Sequence, residues 1–106
     1  MYGIPEQTRE SLAQSVGALC EVGVEHVSAY GLKIEEGTPF YKKKNTLSLP
    51  DDDEVAVMYE DTVSALSAHG LCRYEISNFA RAGYESRHNL KYWECGEYLG
   101  FGVAAY

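Results

Sequence analysis

A chain of 106 residues with 16 acidic and 9 basic side chains carries a net charge of -7; this argues against a nucleic-acid partner, because phosphate neutralisation needs clustered Lys and Arg. A hydrophobic fraction of 45% beside 24% charged residues marks one small globular domain rather than a disordered chain. No apolar run approaches the roughly 20 residues of a membrane span and no charged leader precedes an apolar core, so a cytoplasmic protein with no membrane span is expected.

Thr8 is placed to cap a helix in which Leu12, Val16, Leu19 and Cys20 recur at helical spacing, and Gly23 to end it. Residues 24–34 then alternate, with Val27 and Ala29 opposite Ser28 and Tyr30, as a strand does. Glu36-Gly37-Thr38-Pro39 breaks that strand, and the polar stretch to residue 49, with its solvated Lys42-Lys43-Lys44, reads as a long connection. Asp51 followed three residues on by Glu54 makes a capping box, so the acids at 51–54 read as a helix start rather than a metal site. Val55, Met58, Tyr59, Val63 and Leu66 mark the buried stripe of this second helix, and Gly70 stops it.

Residues 72–76 alternate as a second strand, and the glycine-rich residues 98–103 read as a short third. The order helix, strand, helix, strand, loop, strand predicts an α/β fold with mostly parallel strands and flanking helices. If Tyr2-Gly3 is the tail of a further strand, the chain is a run of βα units. Tyr2-Gly3, Tyr30-Gly31, Ser77-Asn78 and Gly102-Val103 then share the rim where the sites of such barrels gather.

Cys20, Cys72 and Cys95 are odd in number and widely spaced, which gives neither a disulfide framework nor a metal knuckle. Cys20 and Cys72 read as buried thiols and Cys95 as a turn residue. His26, at a strand start, and His69, in the last turn of a helix, read as structural. Residues 100–105 imitate a dinucleotide fingerprint, but no helix follows them in this sequence and the reading is discarded.

The segment Arg87-His88-Asn89-Leu90-Lys91-Tyr92-Trp93 puts a possible metal ligand, flat aromatics and cations into one short loop. A neutral imidazole at His88 can ligate iron, Tyr92 and Trp93 can stack on a flat macrocycle, and Arg81, Arg87 or Lys91 can neutralise carboxylate side arms. The alternative from the residues alone is a surface loop whose aromatics tuck under the sheet.

Together with Tyr2-Gly3-Ile4-Pro5-Glu6-Gln7-Thr8, His26-Val27-Ser28-Ala29-Tyr30, Glu35-Glu36-Gly37-Thr38-Pro39-Phe40-Tyr41 and Tyr74-Glu75-Ile76-Ser77-Asn78-Phe79-Ala80, this block resembles the oxygen-independent coproporphyrinogen III oxidase-like radical SAM family, in its heme-chaperone branch. The resemblance spans essentially the whole chain. It implies that residues 1–106 form the second half of a partial (β/α) TIM-like barrel, the C-terminal part of a radical SAM core domain. In that branch a His-Asn-x-x-Tyr-Trp block is associated with heme binding, and His88, Asn89, Tyr92 and Trp93 fill it, with His88 as the implied iron ligand. The decarboxylase branch lacks that form. The resemblance also implies S-adenosylmethionine beside Gly31, Leu32, Lys33, Gly102 and Tyr106, and a substrate-facing rim that includes Glu75 and Asn78. A salt bridge or a cap is an equally good account of Glu75.

The departure is an absence: the family's [4Fe-4S] cluster needs Cys-x-x-x-Cys-x-x-Cys, and none of the three cysteines has that spacing. The acidic residue that the family places before Tyr2-Gly3 is missing as well. The expectation is therefore a fragment of a heme chaperone-like protein whose whole form carries S-adenosylmethionine and the cluster, with heme or porphyrin and heme-acceptor proteins as partners. Open sheet edges offer a route to oligomers. A fragment of a coproporphyrinogen III decarboxylase and a cofactor-free interaction module are the alternatives.

Overall fold

The computed structural model describes residues 1–105. Helix α1 (Arg9–Val22) begins where Thr8 turns extended: the Ser11 N–H donates to the Thr8 hydroxyl at 3.2 Å while the Thr8 N–H donates to the Ser11 hydroxyl at 3.1 Å. It ends at Gly23, whose φ of 78° is the left-handed conformation that costs a glycine no Cβ clash. Leu12 and Val16 are buried, whereas Leu19 is exposed, so the buried stripe is narrower than the spacing predicted.

Helix α3 (Asp52–Ala68) follows the short helix α2 (Pro39–Lys43), capped by Thr38, and a 3₁₀ turn at Lys44–Thr46 inside the long connection. The Asp51–Glu54 capping box forms at 2.8 and 3.0 Å. Met58, Thr62 and Leu66 face the core, and the Thr62 hydroxyl satisfies itself on the Met58 carbonyl at 2.8 Å. Past His69, the Leu71 N–H donates back to the Leu66 carbonyl at 3.0 Å and seats the fully buried Leu71 beside the core, which also holds Leu66 and Phe79.

The sheet has three short strands, β1 (His26–Ser28), β2 (Cys72–Arg73) and β3 (Asn78–Ala80), in the order β1-β3-β2. Val27 and Arg73 both lie opposite Phe79, and both pairings are antiparallel. This corrects the expectation of mostly parallel strands. Only four residues, 74–77, separate β2 from β3, enough to reverse the chain and too few for the crossover that a parallel pair requires. Among the described residues, parallel pairing appears only at the isolated bridge between Tyr2 and Gly31.

Two further expectations are corrected. Residues 98–103 form no strand: they are irregular, with Gly102 at φ 93° in a turn that leads to an N–H contact from Ala105 to the Gly102 carbonyl. Cys72 is exposed rather than buried, because β2 is an edge strand. Among the described residues, no helix is long and apolar enough to cross a membrane.

Candidate functional site

The segment read as a loop is helix α4 (Arg87–Trp93). Ser86 caps it, accepting the Asn89 N–H on its hydroxyl at 3.3 Å and the Leu90 N–H on its carbonyl at 2.9 Å. The helix stops because the Gly96 N–H reaches back to the Lys91 carbonyl at 2.7 Å and the Cys95 N–H to the Tyr92 carbonyl at 3.1 Å, with Cys95 held at φ 54°.

Helical spacing sorts the motif. His88 and Tyr92 are four apart and meet on one face, ring edge to ring face at 5.1 Å, and Tyr98 folds back onto Tyr92 at 4.8 Å. Asn89 and Trp93, also four apart, form an adjoining row. The aromatics do not tuck under the sheet: Tyr92 is 45% and Trp93 59% exposed, and His88 is exposed beside them. Among the described residues, the His88 imidazole has no hydrogen-bond partner, and Arg87 and Lys91, both exposed, are in no ion pair. An imidazole without a hydrogen-bond partner, a largely exposed Trp93 ring and two unpaired cations on one helix are chemically compatible with a flat, iron-bearing, carboxylated macrocycle.

What holds α4 to the body lies outside the motif. Tyr74 Oη sits 2.8 Å from His26 Nε2, the two rings 5.7 Å apart, and accepts the Ser86 N–H at 3.3 Å. Neither Tyr74 nor Ser86 stood out in the sequence as part of a site. The signal for Ser86 was local, a Ser immediately before a helical segment; Tyr74 gave none.

Three of the four stretches expected on one rim do come together. Tyr2 donates to the Tyr30 carbonyl at 3.0 Å and accepts from Leu32 at 2.9 Å, while the Ala29 N–H reaches the Ser77 carbonyl at 2.8 Å. Ser28 donates to the buried Asn78 amide oxygen at 2.5 Å. Gly31 makes room for the Tyr2 ring, since a Cβ there would lie 3.1 Å from it. Burial, and then charge repulsion with the Tyr59 phenol, push the Tyr2 phenol up from its ordinary pKa. Lys33 pairs with Glu35 at 2.7 Å in solvent, which holds its ammonium pKa above the usual value. Glu75 acts as a cap, accepting the Ser77 N–H at 2.9 Å.

Gly102-Val103, the fourth stretch, lies in the C-terminal turn, which no hydrogen bond joins to Gly31, Leu32 or Lys33 among the described residues. Tyr106 falls outside the described residues. No group of three or more His, Cys, Asp or Glu is placed to hold a metal ion among the described residues.

No protein-family model matches the chain. Over 108 residues it is 45% identical to the heme chaperone HemW of Bacillus subtilis (strain 168), a match covering all of this chain and 28% of that protein. The chain is a relative of the heme chaperones named HemW. The HemW of Escherichia coli (strain K12) is 37% identical over 106 residues, again with 28% of its length covered. A mouse mitochondrial protein, radical S-adenosyl methionine domain-containing protein 1, is 41% identical over 108 residues, 24% of its length. The chain thus spans under a third of the HemW relatives it matches. In fold it is similar to coproporphyrinogen III oxidase (HemN) from Escherichia coli, described as a radical SAM enzyme, with a TM-score of 0.69 and 20% identity, covering 98% of this chain and 27% of that one. At that identity the likeness speaks for the α/β fold alone.

Proposed function

We propose that this chain supplies the heme-contacting element of a radical SAM-type heme chaperone. The observation that carries the reading is the exposed, unpaired His88 imidazole on a capped helix with Tyr92 and Trp93, in a chain whose relatives are named heme chaperones. His88 donates an axial nitrogen to the heme iron, Tyr92 and Trp93 pack against the ring, Asn89 borders it, and Arg87 and Lys91 neutralise the propionates. Heme is cargo in this reading, passed in the cytoplasm to an acceptor protein.

In the whole protein the chain forms the latter part of a partial barrel, a reading supported by the parallel Tyr2–Gly31 bridge and by the likeness to a radical SAM enzyme. Gly31, Leu32, Lys33, Gly102 and Tyr106 border S-adenosylmethionine there, and the [4Fe-4S] cluster is held by residues outside this chain. The decarboxylase alternative draws support from the fold likeness, but the complete His-Asn-x-x-Tyr-Trp block favours the chaperone.

A heme titration of the 106-residue chain tests the reading. His88→Ala is expected to shift the Soret band and to weaken binding by more than the roughly 10- to 100-fold that disturbing a hydrogen-bond partner of a metal ligand costs. His69→Ala, whose imidazole is spent on the Ala65 carbonyl at 2.9 Å, is expected to bind as the parent does. Parental binding by a His88→Ala variant that circular dichroism finds folded rejects His88 as the ligand.

A further inference from the structure

Beyond residue 81, the chain is attached to the body by very little. The last backbone bond to the sheet region is from the Arg81 N–H to the Glu25 carbonyl at 2.9 Å, and Tyr84 then turns back only onto Arg81 itself. From residue 82 to residue 105, among the described residues, one hydrogen bond reaches residues 1–80: the Ser86 N–H to Tyr74 Oη at 3.3 Å. Apart from the Tyr84 bond to Arg81, the remaining hydrogen bonds and ring contacts of this stretch lie within it.

The acceptor is itself anchored. Tyr74 leaves β2 at the reversal before β3, and its hydroxyl meets His26 Nε2 on β1, 48 residues away in sequence. A phenol has one proton and two lone pairs. It can donate to a neutral Nε2 while accepting the Ser86 N–H, or accept from both when Nε2 carries a proton. Either way both bonds survive, so β1, the reversal and the cap of α4 meet at one oxygen. Ser86 is also the residue whose hydroxyl and carbonyl take the first helical N–H groups of α4, so its position sets the direction of the helix that carries His88.

We infer that the Tyr74 hydroxyl, held between His26 and the Ser86 amide, is the positioning group that docks helix α4 on the sheet and orients His88. The consequence for heme rests on the function proposed above; the docking does not.

The decisive variant is Tyr74→Phe in the 106-residue chain, which keeps the ring and removes the oxygen. The Leu90 and Glu94 amides of α4 are expected to exchange about tenfold faster, while Ala29 and Arg81, bonded to the body, keep parental rates. Heme affinity is expected to fall several-fold with the Soret maximum unmoved, because His88 still ligates; His88→Ala, by contrast, moves the band. Parental exchange at Leu90 and Glu94 in Tyr74→Phe overturns the inference. If the parent chain binds no heme, the function proposal falls and the exchange rates alone decide the docking. If Tyr74→Phe does not fold, His26→Ala and His26→Gln decide. The first is expected to loosen the same amides and the second, which keeps a hydrogen-bond partner for the phenol, to restore them. Equal rates in both variants and the parent overturn the inference.

Discussion

Cys95 holds a left-handed backbone, φ 54°, at the position after the α4 cap where helices usually place glycine. Its Cβ is strained there, and the residue is exposed, with its thiol in no disulfide. Cys95→Gly is expected to stabilise the end of α4 by about 0.5–1 kcal/mol, the strain relieved less the chain entropy that glycine adds to the unfolded state. Slower exchange of the Glu94, Cys95 and Gly96 amides would register the gain; faster exchange would mean that the thiol has a role in the turn. At this scale the sequence was most legible where a residue acts on its near neighbours. The caps at Thr8 and Asp51 and the stop at Gly70 need only three or four residues of context, and all three sit where spacing put them. The Tyr74 hydroxyl was illegible because its partners lie 48 and 12 residues away, and no local pattern encodes such a meeting.

Helices α1 and α3 pack on one another, and at their outer edge Arg9 forks onto Asp61 with bonds of 2.7 and 3.0 Å. The hydrogen bond from Arg9 holds the Asp61 carboxyl below its ordinary pKa. A carboxylate depressed in the folded state adds stability that is fully present above its unfolded pKa and is lost as pH falls through the folded value. The parent should therefore lose an increment of thermal stability on acidification that Asp61→Asn lacks, so the two midpoints converge in the acid range. The effect should be small and fade with salt, because the side chains are 57% and 41% exposed. Midpoints that stay parallel from neutral to acid pH, with the parent unaffected by salt, would deny the pair any role. Alternation at 24–34 and 72–76 marked two strands, of which only His26–Ser28 and Cys72–Arg73 pair in the sheet, but the central strand Asn78–Ala80 was not legible, nor was strand direction. The reversal at 74–77 contains no Gly, Pro, Asn or Asp to announce it; it is made by the Glu75 carboxylate accepting the Ser77 N–H and by the Tyr74 N–H donating to the Asn78 carbonyl. The His-Asn-x-x-Tyr-Trp residues were legible as a group, yet the helix that sorts them was not, since Arg87–Trp93 is too short to display a period.

For the molecule as a whole, the radius of gyration of 16.3 Å exceeds the roughly 13 Å of a compact domain this long. The excess matches a C-terminal segment with few ties to the body and little cover. Leu99, Phe101 and Val103 are each more than four-fifths exposed, and β1 and β2 each leave one edge unpaired within the three-stranded sheet. Bare strand edges and adjacent apolar side chains both favour contact with another chain. Association that grows with concentration is therefore expected in sedimentation velocity. Two remedies separate the causes. Replacing Leu99, Phe101 and Val103 together by Glu removes the apolar segment's contribution and leaves the edges intact, whereas Arg73→Pro takes from edge strand β2 an amide that faces away from β3 and leaves the segment intact. The open span of the apolar segment makes it the larger contributor, so the triple variant should shift the sedimentation profile toward monomer more than Arg73→Pro does. A parent that stays monomeric at every concentration, with one cooperative thermal transition, would mean that edges and segment are both protected in solution by contacts with the rest of this chain.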